Sequence, residues 1–142
     1  MRKWKITAAV LGAVILCLTV ATVWTVLWPS RRVESFAELP HDFAYYQERY
    51  IEPNEELERQ GRREETFVGP IRDGRDAKRK AARVWLPIYG LLLLQRPFEA
   101  YYDEQHDVWL VCGSLHLGMD GGTAMVLLGG SDGKVLAVTH GK

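Results

Sequence analysis

The order of apolar and polar positions divides the chain into stretches with different periods. From Ile6 to Trp28, ITAAVLGAVILCLTVATVWTVLW, 23 residues carry no charge. A helix needs about 20 apolar residues to cross a hydrocarbon core. A secretory signal has a shorter apolar core, about 7–15 residues, and ends in a small-residue cleavage site. No A-x-A follows here. The run continues into Trp24 and Trp28, aromatic residues suited to the membrane–water boundary. A lipoprotein site at Cys17 is disfavoured, because Leu16 stands where a small residue is wanted. The pattern predicts an uncleaved transmembrane helix, with a cleaved signal as the alternative.

Pro29 to Glu38 reads as a short tether. Phe43, Tyr46 and Tyr50 then recur at spacings of 3 and 4, one apolar stripe on a short helix that Asp42 can cap and Pro53 should break. NEELERQGRREET comes next, with a single leucine among its charges. It reads either as a solvated helix or loop, or as an acidic surface facing a basic partner. In DGRDAKRKAARVWLPIYG, Ala77, Ala81, Val84, Trp85 and Ile88 fall on one face of an amphipathic helix. Asp73 or Asp76 can cap its start and Gly90 can close its end. Lys78, Arg79, Lys80 and Arg83 fall mainly on the other side and read as a solvated face. Pro87 removes one amide donor and should kink or stop the helix near Leu86.

Beyond LLLLQRP the period changes to two. Phe98, Ala100 and Tyr102 alternate with Glu99, Tyr101 and Asp103, and DEQHD, Asp103 to Asp107, supplies a polar turn. Val108 to Gly113 and Thr123 to Gly129 are apolar on both faces, so something should cover each side of these strands. GSDGK, Gly130 to Lys134, is a hairpin turn, and Val135 to His140 is the last strand. The glycines of GSLHLGMDGGTAMVLL therefore join two strands. A phosphate-binding loop needs a helix after its glycines, and the stretch after Gly121 and Gly122 is strand-like. These glycines are expected to permit positive φ at a bend.

Composition adds a charge asymmetry. Net charge is zero, but Arg2, Lys3, Lys5, Arg31 and Arg32 flank the first apolar run and leave 13 basic against 18 acidic residues elsewhere, a net of −5. Nucleic-acid binders show the opposite sign, so no nucleic-acid partner is expected. Three basic residues precede the run and two come after it, which favours an N-terminus in the cytoplasm and a body on the outer side of the bacterial inner membrane. Chemistry is sparse. Cys17 and Cys112 have no neighbour at metal-ligand spacing. None of His41, His106, His116 and His140 lies at i+4 from another, and no G-x-S-x-G or Cys–His arrangement occurs. No catalytic residue, metal or cofactor is expected. Asp103, Glu104 and Asp107 are ordinary turn residues.

The order of VWLPIYG on a helix, RPFEAYYDEQHDVWLVCGSL, GGTAMVLL and a terminal DGKVLAVTHGK resembles the NTF2-fold immunity proteins that accompany bacterial polymorphic toxins. The resemblance covers about Asp76 to Lys142. It implies an α+β, NTF2-like (cystatin-like) cone: a curved antiparallel sheet packed on helices. The expected division is 1–32 membrane anchor, 33–72 tether and charged helical segment, and 73–142 immunity domain core. The resemblance further implies a non-enzymatic protein that blocks one cognate toxin by stoichiometric occlusion. Family positions mark the fold rather than contacts. Candidate toxin contacts are therefore taken from composition: the aromatic Tyr101 and Tyr102, and Glu55 and Glu56 of the acidic segment. Core packing is the competing role for the tyrosines. The alternatives are a small-molecule-binding or enzymatic NTF2-like domain, and an envelope scaffold protein.

Overall fold

The computed structural model describes residues 2–27, 32–90, 97–114 and 122–140. Helix α1, Arg2–Leu27, takes in most of the uncharged run. Its side chains are described at residues 10–21, 23 and 24, and every one is exposed. Among the described residues no helix is long and apolar enough to cross a membrane, so the transmembrane span expected from the sequence is not found there. The α1 side chains carry no polar face in this stretch, so the helix lacks the stripe that would pack it on a globular body.

Five strands form one sheet in sequence order: β1 Glu34–Ser35, β2 Glu99–Asp103, β3 Val108–Cys112, β4 Ala124–Gly129 and β5 Val135–His140. The pairs β2–β3, β3–β4 and β4–β5 are antiparallel. The two-residue β1 runs parallel to β2, so the sheet is mixed, and the wholly antiparallel sheet expected from sequence is corrected at this edge. A register shift at Leu127/Leu128 lets β4 bend against β5. β3 and β4 are antiparallel with Cys112 opposite Met125, so the glycine tract does join two strands. Residues 115–121, which hold His116 and Gly121, lie outside the described residues, and with them the φ expected at the bend.

β3 and β4 are apolar on alternate sides, and both sides are covered. On one face, Ala77, Ala81 and Trp85 of helix α4, Gly74–Tyr89, bury against Ala100, Trp109, Val111, Val126 and Leu128. On the other, Phe36, Tyr46 and Ile51 bury against Val108, Leu110, Leu127 and Ala137. That second layer comes from α2, Phe43–Tyr46, a π-helical turn, Gln47–Ile51, and α3, Glu52–Arg59. The apolar stripe predicted through Phe43, Tyr46 and Tyr50 is thus real, and the stretch read as tether and charged helix supplies it. Pro53 does not break the segment. It lacks an N–H to bond backwards, and the wide turn before it, with the Glu52 amide reaching the Gln47 carbonyl, makes room for the ring at the first turn of α3.

Helix α4 departs from expectation in two ways. It runs through Pro87 to Tyr89, where Gly90, at φ 66°, closes it with its amide on the Leu86 carbonyl at 3.0 Å. Pro87 and Arg83 are both exposed, so the freed Arg83 carbonyl faces the solvent side and the break near Leu86 does not occur. Its start is a reciprocal cap. Asp73 accepts the Asp76 amide at 2.9 Å while Asp76 accepts the Arg72 amide at 3.1 Å. The second departure is charge. Lys78 and Lys80 are buried, not solvated. Lys80 donates to the Gly69 carbonyl at 2.9 Å and to the Pro70 carbonyl, and pairs with Asp76 at 3.0 Å. Lys78 donates to the Arg32 carbonyl at 3.0 Å, and burial lowers its pKa despite the nearby Glu34 and Glu99. Long methylene stems let both lysines cross apolar ground to reach backbone oxygens. The Trp85 indole N–H is buried with no hydrogen-bond partner among the described residues, a cost offset by its ring packing on Phe98 at 5.2 Å.

The loop that Lys80 grips is stitched to the β4–β5 turn by the Val68 amide on Gly133 and the Ile71 amide on Gly130, at 2.9 and 2.8 Å. Gly133 takes φ 70°, and a Cβ there would collide with Gly69. Lys80→Met removes the donor from two carbonyls and the partner from Asp76. It is expected to cost about 3 kcal/mol in urea unfolding of the solubilised chain, while Arg79→Met, which pairs with Asp76 only at 3.9 Å on an exposed face, leaves the midpoint nearly unchanged.

Candidate functional site

A concavity lies where the second layer meets the β2–β3 turn. It is a groove of about 830 Å³ walled by residues from Ser35 to Gln47 on one side and Tyr102 to His106 on the other. Each wall is set by local bonding. Asp42 caps α2 by accepting the Tyr45 amide at 3.1 Å. Asp103 closes the turn by accepting the amides of Gln105 at 2.9 Å and His106 at 3.2 Å, and its other oxygen lies 3.0 Å from the His106 ring. Aromatic rings bridge the walls. Phe43 stacks on His106 at 4.0 Å, and His41 stacks on Tyr45 at 3.8 Å. Three carboxylates, Asp42, Asp103 and Glu104, line the groove with no lysine or arginine among them.

Asp107 joins this turn to the next one. At φ 52° it holds a left-handed backbone that few residues other than glycine adopt. Its carboxylate accepts the Tyr102 hydroxyl at 2.9 Å and the Ser131 amide at 2.8 Å, and its carbonyl accepts the Gly130 amide at 2.8 Å. Burial opposes its ionisation, but the hydrogen bonds from Ser131 and Tyr102 outweigh burial and hold the carboxyl below its usual value. For Asp103 burial again opposes ionisation, and the bonds from His106 outweigh it.

The residues singled out from sequence are spread over the body. Tyr102 lines the groove and packs on Trp109 at 4.6 Å. Tyr101 points to the other face of β2, packs against the second apolar layer, and donates to Glu99 at 2.9 Å. Burial, with Glu99, raises its pKa. Glu55 and Glu56 sit exposed on α3. Glu56 pairs with Arg59 at 2.8 Å, and Glu55 lines a separate hollow with Glu58, Arg63, Glu65 and Lys134. The four do not form one patch. The groove pairs Phe43 with His106, 63 positions apart, and nothing local in the sequence announces that contact.

Burial pushes the Cys112 thiol up to about 12, with Glu99 adding to the effect, so it is not a thiolate at neutral pH. Among the described residues no group of three histidines, cysteines or carboxylates can hold a metal ion.

The remaining observation is a match. Residues 77–142 fit the family model for NTF2 fold immunity protein. The resemblance read from the sequence holds over that segment. No curated protein and no solved structure matches the chain. The matched segment begins inside α4, at the first of its buried alanines, and takes in β2 to β5. The acidic second layer and α1 lie outside it.

The low carboxyls give the body an acid dependence. A carboxyl held low in the folded chain binds fewer protons than in the unfolded one. It stabilises the fold above the unfolded value, about 3.9, and that contribution is lost as pH falls through the lower folded value. Asp107→Asn keeps the left-handed backbone but loses the charge. Its unfolding midpoint at pH 7 should fall by the equivalent of about 1 kcal/mol. The gap to the parent chain should narrow toward pH 3.

Proposed function

We propose that this chain is a membrane-anchored immunity protein that binds one cognate bacterial toxin and neutralises it by occlusion, one molecule to one. The match of residues 77–142 to the immunity family carries the reading. A binding surface fits it: the groove is lined by aromatic rings and carboxylates. Tyr102 supplies the aromatic anchor that interface centres favour. The acidic α3 face, with Glu55 and Glu56, steers a basic toxin toward it. Tyr101 contributes from beneath, through its hold on the second layer.

The anchor is α1. Its 26 residues reach about 39 Å at 1.5 Å each, longer than a hydrocarbon core of about 30 Å. A run with no charge from Ile6 to Trp28, whose described side chains between Val10 and Trp24 are all exposed, suits lipid better than water. The basic excess before it favours a body in the periplasm, on the side of the inner membrane where a toxin acting on the envelope would meet it. An NTF2-like cone, with the sheet packed on helices, is the fold this function would use. The protein acts without a cofactor and without turnover.

Cells that express the toxin encoded beside this chain should survive when the full chain is co-expressed and die without it. Death despite folded, membrane-located protein would remove the reading. In the same cells Glu55→Lys with Glu56→Lys should retain the fold. It should slow toxin association by about tenfold at low salt, with the difference shrinking as salt screens the charges.

A further inference from the structure

The two helical layers of the body differ in charge. From Glu48 to Arg59 the second layer carries five glutamates against two arginines. On the far side of the sheet α4 turns Arg79 and Arg83 outward, four residues apart, on the face opposite Ala77, Ala81 and Trp85. Leu86 continues that outward face at 59% exposure, and Ile88 at the helix end is 54% exposed. Beside them lies a mostly apolar hollow of about 280 Å³, where Arg63 and Arg83 accompany Val84, Ile88, Val135 and Val138. Cations beside exposed aliphatic side chains and an apolar hollow are the chemistry of an anionic phospholipid surface, with arginines on phosphates and aliphatic groups at the acyl boundary.

A second geometric fact brings that surface near. The Lys78 ammonium holds the Arg32 carbonyl at 3.0 Å. Five residue steps separate Arg32 from the end of α1 at Leu27, and fully extended they span at most about 18 Å. If α1 is embedded, α4 cannot leave the bilayer surface by much more than that, and Leu86 lies only about 12 Å along the helix from Lys78.

We propose that the outward face of α4 docks on anionic phospholipid headgroups of the membrane that holds α1, which leaves the acidic α3 layer, across the sheet from α4, facing away from the bilayer. This rests on the reading of α1 as an anchor. The buried Lys78 is the clasp that sets the orientation, and the arginine stripe is the contact. An acidic protein partner on the same face is the competing occupant. Lipid is favoured because the clasp keeps this face within reach of the bilayer.

The test uses the full chain, with Cys17→Ser and Cys112→Ala, reconstituted into vesicles of phosphatidylcholine with phosphatidylglycerol, or of phosphatidylcholine alone. An environment-sensitive fluorophore is attached at Leu86→Cys or at Glu55→Cys, and spin-labelled lipid serves as quencher. In phosphatidylglycerol vesicles quenching at position 86 should exceed that at 55 by at least about twofold. Arg79→Glu with Arg83→Glu, or plain phosphatidylcholine, should abolish the difference. Equal quenching at both positions, or shielding of position 86 by added toxin but not by lipid, would overturn the proposal while leaving the anchor intact. A chain that washes off the vesicles in carbonate would overturn the anchor reading and this one with it.

Discussion

A sheet whose central strands are apolar on both faces cannot stand with one face in water, and the whole arrangement depends on that constraint. β3 presents Trp109 and Val111 to one side and Val108 and Leu110 to the other, all buried. One cover, α4, belongs to the segment that matches the immunity family. The other, from Phe36 to Ile51, precedes that segment in sequence. Among the described residues the matched segment therefore covers only one face of its sheet. The chain between the anchor and α4 completes the core, and its outward side is left free to carry charge.

The two covers are separate stretches on opposite faces of the sheet, and each carries its own charge, glutamates from 48 to 59 and arginines on α4. Lys78 and Lys80 are withdrawn from the basic side and spent on backbone carbonyls, which fastens Arg32 and the Gly69–Pro70 loop to α4. Asp107 does the same between the two hairpin turns. These buried or half-buried polar ties decide where the loops rest, while the apolar layers decide only that they rest somewhere.

How much of the molecule is legible in the chain depends on the range of each interaction. Ala77, Ala81 and Trp85, the two-period strands and the GSDGK turn are governed by neighbours within a few residues, and they stand where the pattern puts them. The passage of the helical segment over Pro53 depends on a wide turn that has no residue signature. The burial of Lys78 and Lys80 depends on carbonyls 46, 11 and 10 positions away, so a helical wheel assigns both to solvent. The groove depends on Phe43 meeting His106. Aromatic character singles out Tyr102, but the same character also selects Tyr101, which alternation along β2 turns the other way.

The central claim is occlusion, one molecule to one, without turnover. Its most direct measurement is a titration of the purified toxin's activity with the purified full chain in detergent. Activity should fall in a straight line and reach zero at molar equivalence. Activity that disappears at a small fraction of an equivalent, or that persists with the chain in excess, would contradict it.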